Sequence, residues 1–237
     1  MRYLLIYLLI FFFYKSSLSQ NNNSYLYVGL CSEPRVFIND QGPFQYSPLP
    51  LPTPVFGFGK NFKINNFTSF ELSGALKSFS FSQKISYEIE NKKFGTTQGA
   101  GLFFFSGYYL NLSLRKKLWS NTFLLFGIGV DEISSARYSY THELTGVNYP
   151  VVTSFEVSDI NSANLSLNAA ASKVWWVNEQ NTRPIELRLH AFMRFRDHFK
   201  GQTISQYKSQ KYTDDISTGR LGVMLTFHVY LNKQFQE

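Results

Sequence analysis

Residues 220–231 read Arg-Leu-Gly-Val-Met-Leu-Thr-Phe-His-Val-Tyr-Leu. Leu221, Val223, Leu225, Phe227, Val229 and Leu231 alternate with Arg220, Gly222, Met224, Thr226, His228 and Tyr230. Successive side chains of a strand point to opposite faces, so this period of two predicts a strand with one wholly apolar face. Residues 185–196 repeat it: Ile185, Leu187, Leu189, Ala191, Met193 and Phe195 share one face, Glu186, Arg188, His190, Phe192, Arg194 and Arg196 the other. Strands of a soluble sandwich also alternate, but they usually run to about 5 or 6 residues. These are about twice as long, and a tilted strand needs roughly 9 to 11 residues to cross a hydrocarbon layer. Lipid rejects the charged and histidine side chains opposite the apolar face, whereas a polar barrel interior accepts them.

The same alternation recurs upstream. Leu165, Leu167, Ala169 and Ala171 oppose Asn164, Ser166, Asn168 and Ser172; Leu124, Phe126, Ile128 and Val130 oppose Gly127, Gly129 and Asp131. Phe104, Tyr108, Leu110, Leu112 and Leu114 oppose Tyr109, Asn111, Ser113 and Arg115, and Phe56, Phe58, Phe62 and Ile64 oppose Gly57, Gly59, Asn61 and Lys63. Residues 67–90 exceed one crossing and change phase: Phe70, Leu72 and Leu76 are even, Phe79, Phe81, Ile85, Tyr87 and Ile89 odd. A β-bulge near Lys77 and Ser78 would restore the register, with the upper part projecting beyond the membrane. Leu26, Val28 and Leu30 mark a first strand that Pro34 limits. The expected fold is therefore all-β, an antiparallel eight-stranded transmembrane β-barrel.

The connections sort into two classes. After the second, fourth and sixth strands they are short, around Asn65 and Asn66, residues 116–121 and residues 178–183; after the odd strands they are long, near 39–54, 91–98, 134–160 and 199–217. Short periplasmic turns and long extracellular loops are the asymmetry of such barrels. The third long loop has hairpin character, with Val151, Val152, Phe155 and Val157 on one arm and Thr145-Gly146 at the tip, while Pro48, Pro50, Pro52 and Pro54 favour extended conformations in the first. Trp119, Trp175, Trp176 and Tyr230 fall at the periplasmic end, where amphipathic rings favour the interface, and form the expected aromatic girdle. Eight strands enclose a space only just wide enough for side chains. Glu71, Arg115, Asp131, Glu186, Arg188, His190, Arg194 and His228 are the inward set expected to fill it as a polar network, with Arg188 facing Glu71 or Glu186.

Residues 1–19 have the build of a secretory signal: Arg2, an apolar run over 4–14 that is short for a membrane helix, and small residues at Ser17 and Ser19 before a cut at Gln20. Residues 20–237 then form the barrel domain. Only 16% of residues are charged and 18% aromatic, an unusual mixture for a water-facing surface. Of the net +7, Arg2 and Lys15 belong to the leader, leaving +5. That charge suits anionic headgroups, and its basic residues are too scattered for a nucleic-acid face. Cys31 is the single cysteine, so no intrachain disulfide forms; Leu30 before it does not suit a lipidated cysteine.

In pattern and topology the chain resembles small outer-membrane barrels of the OmpA and OmpX type, including outer-membrane β-barrel proteins of Bacteroidetes, over about residues 25–233. It departs at its end, where residues 233–237 follow the last apolar strand and Phe235 stands two positions from the terminus. The resemblance implies a bacterial outer-membrane location, lipid and lipopolysaccharide as surroundings, and a monomer. Asp197-His198 and Asp214-Asp215 near the outer rim raise a lipid-modifying enzyme, but acid and base must converge and nothing in their spacing requires it, so no catalytic residue is expected. His190 and His228 face inward on neighbouring strands, yet two ligands are too few for a metal site, and neither metal nor cofactor is expected. The expected role is structural or loop-displaying, binding a surface protein or secretion partner; a small transport channel is the alternative.

Overall fold

The computed structural model describes residues 22–33, 35–37, 44–48, 52–79, 83–89, 92–98, 105–133, 139–144, 151–160, 163–177, 184–197 and 199–231. The leader, the Thr145-Gly146 tip, Phe104, His198 and the 233–237 tail lie outside these residues. In chain order the strands are β1 (Asn22–Ser32), β2 (Arg35–Phe37), β3 (Phe44–Pro48), β4 (Thr53–Lys63), β5 (Thr68–Phe79), β6 (Gln83–Ile89), β7 (Lys92–Gln98) and β8 (Phe105–Trp119). They continue with β9 (Thr122–Ile133), β10 (Ser139–Leu144), β11 (Val151–Ile160), β12 (Ala163–Trp176), β13 (Pro184–Arg194), β14 (Phe199–Tyr207), β15 (Gln210–Thr218) and β16 (Leu221–Tyr230).

Eight of them close a barrel in the order β1-β16-β13-β12-β9-β8-β5-β4, and all eight neighbour pairings are antiparallel. Closure between β1 and β16 runs from Tyr25↔Tyr230 to Ser32↔Val223, so the ring has no open edge. The burial is inside out relative to a soluble protein. Leu225 is 46% exposed, Leu189 57% and Phe126 60%, whereas Glu71, Glu186 and Arg188 are at most 1% exposed. An apolar exterior around a closed ladder that satisfies the strand backbones is a membrane-spanning architecture.

Within the described residues, the four long connections are built largely of strands. They form a five-stranded sheet, β10-β11-β14-β15-β2, and a three-stranded sheet, β3-β6-β7. β3 occupies part of the Pro-rich segment read as extended loop, and β10 and β11 make the hairpin over the third connection. The two sheets share a small core of Phe44, Ile85, Tyr87 and Val151, against which Tyr207 and Tyr212 pack. Phe44 lies 5.6 Å from the Tyr87 ring and 5.3 Å from that of Tyr212.

No bulge stands at Lys77 and Ser78. The β5–β8 register is unbroken through Lys77↔Gly107, Ser78↔Ser106 and Phe79↔Phe105. The phase change has another cause. β5 ends at Phe79, and β6 begins at Gln83 in the outer three-stranded sheet. Ile85 and Tyr87 are odd because they answer to the core of the outer sheets, not to lipid.

Candidate functional site

Among the described residues the lumen holds two clusters of charge. In the one nearer the short turns, Glu71 comes from β5, Arg115 from β8, and Glu186 and Arg188 from alternate positions of β13. β5 and β13 lie opposite each other in the ring, so a contact between them spans the barrel's diameter. Arg188 makes that contact: Nη2 donates to Glu71 Oε2 at 2.9 Å and Nη1 to Glu71 Oε1. Its Nε donates to Glu186 Oε1 at 3.1 Å. Arg115 Nη2 stands 3.3 Å from Glu186 Oε2, and its Nη1 donates to the Tyr230 hydroxyl at 2.6 Å. With its side-chain amide turned to satisfy both neighbours, its nitrogen 2.9 Å from Glu71 Oε2 and its oxygen 2.8 Å from Arg115 Nη1, Asn61 ties Glu71 to the second arginine. Two carboxylates and two guanidiniums leave this buried quartet neutral, as burial of charge requires.

The second quartet sits at the long-connection end. Lys77 Nζ donates to Asp131 Oδ1 at 3.1 Å and to Glu33 Oε1 at 3.0 Å. Arg194 Nε donates to Asp131 Oδ2 at 2.9 Å, and its Nη2 to Glu33 Oε1 at 2.5 Å. This cluster too has two acids and two bases. The Lys77 ammonium lies over the rings of Phe192 and Tyr109, 4.8 and 5.3 Å from their centroids. Sequence reasoning missed Lys77 and Glu33. Lys77 shares its parity with Glu71 and could have been found from the register, but Glu33 lies beyond the end of β1, where parity carries no information.

Between the quartets the lumen is packed with rings and small polar groups. His190 Nε2 and His228 Nε2 both approach Thr226 Oγ1, at 3.2 and 2.8 Å, so a threonine hydroxyl bridges the two histidines. The His228 ring stacks on Tyr27 with centroids 4.8 Å apart and planes 15° apart. Among the described residues no three His, Cys, Asp or Glu side chains gather as a metal ion would need. Close approach of the walls demands glycine at Gly29, where a Cβ would stand 2.2 Å from the Leu225 carbonyl oxygen of the neighbouring strand. That obstacle is backbone in the closing seam and cannot swing away. Gly29→Ala is therefore expected to destabilise the barrel by about 1–3 kcal/mol. The check is the urea midpoint of the detergent-folded protein against Gly74→Ala, whose Cβ meets side-chain tips alone, Leu110 at 3.2 Å and the Phe58 ring at 3.7 Å. Equal midpoints would show that the seam has room.

Two of the four girdle aromatics face outward at the short-turn end: Trp119 is 66% and Trp175 43% exposed. A register shift between Lys117 and Trp119 accompanies the outward turn of Trp119. Trp176, on the inner-facing parity of β12, is half-buried at the strand's end. Tyr230 does not belong to a girdle. It shares the inward parity of Met224, Thr226 and His228, is 5% exposed, and donates its hydroxyl to Glu186 Oε2.

The rim carboxylates do not converge. Asp197 pairs with Arg220 Nε at 3.3 Å. Asp214 is buried in the five-stranded sheet, and Asp215 accepts from Gln202 Nε2 at 2.9 Å.

No protein-family model matches the sequence, and no curated protein matches it. Among solved structures the chain is similar to the outer membrane protein OprG from Pseudomonas aeruginosa, at 10% identity over 89% of this chain and 96% of that one, with a TM-score of 0.39. It is similar also to the Yersinia pestis outer membrane protein Ail, at 12% identity over 86% and 99% of the two chains and a TM-score of 0.30. The translocator domain of the autotransporter NalP from Neisseria meningitidis aligns at 8% identity over 93% and 92%, with a TM-score of 0.23. The fold of this chain stands on its own strand pairing.

Proposed function

We propose that this chain is an outer-membrane protein that anchors a folded β-sheet module at the bacterial cell surface, to bind a surface protein or secretion partner, and that its barrel does not conduct. The observation that carries the reading is the contrast between lumen and loops. Two neutral, buried quartets with aromatic packing between them fill the barrel, while the long connections hold two sheets with a core of their own. A pore needs a wetted path, and a lumen whose arginine reaches across its full width leaves little space for one. Long connections that fold rather than trail present a rigid surface, and rigid surfaces lose little entropy on binding.

In this reading the leader directs export, lipid surrounds the apolar belt, lipopolysaccharide meets the outer rim, and the barrel works as a monomer. Purified protein in planar bilayers is expected to give no stable conductance steps. Reproducible steps that disappear when Arg188 or Glu186 is replaced would replace display by transport. Capture of partners from intact outer membranes, compared with protein lacking residues 139–160, then tests whether the outer sheets are the binding surface.

A further inference from the structure

The rim around the short turns is basic on one side. Lys63 ends β4, Lys116 and Lys117 lie near the end of β8, and Lys173 lies near the end of β12. Two backbone contacts join these strand ends into one arc: Lys117 N donates to Phe67 O at 2.7 Å, and Val174 N to Asn121 O at 2.8 Å. Among the described residues none of the four lysines pairs with a carboxylate, and every acid outside the lumen stands toward the long connections. Phe67, Trp119 and Trp175, all exposed, are interleaved with them. Ammonium groups among rings at the end of an apolar belt lie at the level of lipid headgroups, where phosphate is the available counter-charge. The opposite part of the rim carries no outward charge among the described residues: it is Pro184 and Ile185 on β13, Leu231 after β16, and Asn22 and Asn23 on β1.

Beside Lys173 the outer wall is hollowed. Along the outward face of β12, Lys173 is followed by Ala171 and Ala169. The register sets Ala171 between Leu124 and Leu189, and Ala169 between Phe126 and Ala191. Where Ala169 meets Ala191 an apolar groove opens, walled by Phe126, Leu167, Met193 and Leu221. A chain lying in it gains dispersion contacts that the short methyl side chains leave unmade. Lys116↔Leu124 and Lys173↔Thr122 place the two lysines on either side of β9, so two cations bracket the approach to this hollow.

We propose that the β8–β9–β12 corner binds one anionic phospholipid of the leaflet at the short-turn end. Its phosphate sits between Lys116 and Lys173, its glycerol at the level of Trp119 and Trp175, and one acyl chain runs over Ala171 and Ala169 into the groove. Charge selects this occupant over a second copy of the chain, because symmetric pairing would bring the same cations together across the seam. The inference goes beyond the display role and does not depend on it.

The three tryptophans of the chain, Trp119, Trp175 and Trp176, make the site observable. The full chain is folded into vesicles of phosphatidylcholine and phosphatidylglycerol, with bromine on the acyl chains of one lipid or the other at equal mole fraction. Salt is held at about 0.15 M, where diffuse attraction is screened beyond roughly 8 Å. Brominated phosphatidylglycerol is expected to quench the tryptophans saturably, with a relative association about fivefold or more above that of brominated phosphatidylcholine. Lys116→Gln combined with Lys173→Gln should abolish the preference. Ala169→Leu combined with Ala191→Leu should lower it by filling the groove. Lys208→Gln combined with Lys211→Gln removes the same charge from the outer sheet and should leave it unchanged. All three double variants are checked for heat-modifiable gel mobility. Equal quenching by the two lipids would overturn the site, as would a preference that survives the loss of Lys116 and Lys173 or falls equally with Lys208 and Lys211. Full preference with the groove filled would overturn it too. Cross-linked dimers that form across the groove and vanish in the Ala→Leu form would give the groove to a second copy instead, and end the proposal.

Discussion

Replacing Arg188 by Met should cost the barrel on the order of 3–5 kcal/mol, the penalty for breaking a buried ion pair from one side. Glu71 and Glu186 would keep Arg115 and lose the cation that joins them across the lumen. The excess carboxylate has no water to turn to, since both acids are 0% exposed. Unfolding in urea from lipid vesicles measures the loss, and Arg188→Met combined with Glu71→Gln identifies its cause. The double variant leaves the Glu186–Arg115 pair neutral, so it should recover part of the stability lost by the single one. The coupling comes from sharing one buried network, where effects do not add. A single variant within about 1 kcal/mol of the parent would mean that water reaches the quartet and that the lumen is wetter than its packing implies.

The period of two made the barrel legible wherever one face met lipid and the other met packed polar groups. β12 is the plainest case, alternating exposed and buried along nearly its whole length, and Glu186, Arg188, His190 and Arg194 on β13 take the inward side by parity alone. Tyr230 shows the limit of reasoning from residue type. A tyrosine near a strand's end suits an interface, but its parity was inward, and parity prevailed. The outer sheets were less legible for a different reason. Thr153, Thr203 and Ser205, each 0% exposed, fill the buried face of the five-stranded sheet, so hydropathy does not alternate there. Glu33 was invisible because it joins the lumen from outside a strand.

Leu225 is the position where the membrane itself can be tested. It lies mid-way along β16 on the outer face, flanked in register by Leu30 on β1 and Leu189 on β13, both more than half exposed. If lipid covers this face, Leu225→Arg places a guanidinium near the middle of the hydrocarbon, where the cost is about 2–4 kcal/mol. Leu231→Arg on the same face, at the short-turn end, should cost only about 0–1 kcal/mol, because a long side chain there snorkels to the interface. Depth along one face is a cleaner comparison than inside against outside. Thr226, the inward neighbour, is 1% exposed and bonded to both histidines, so an arginine there would crowd Arg188 whatever surrounded the barrel. Folding yields in lipid vesicles and urea midpoints of the two variants give the difference. A soluble exterior would tolerate both changes alike, and equal costs at the two depths would therefore end the membrane-spanning reading of the belt.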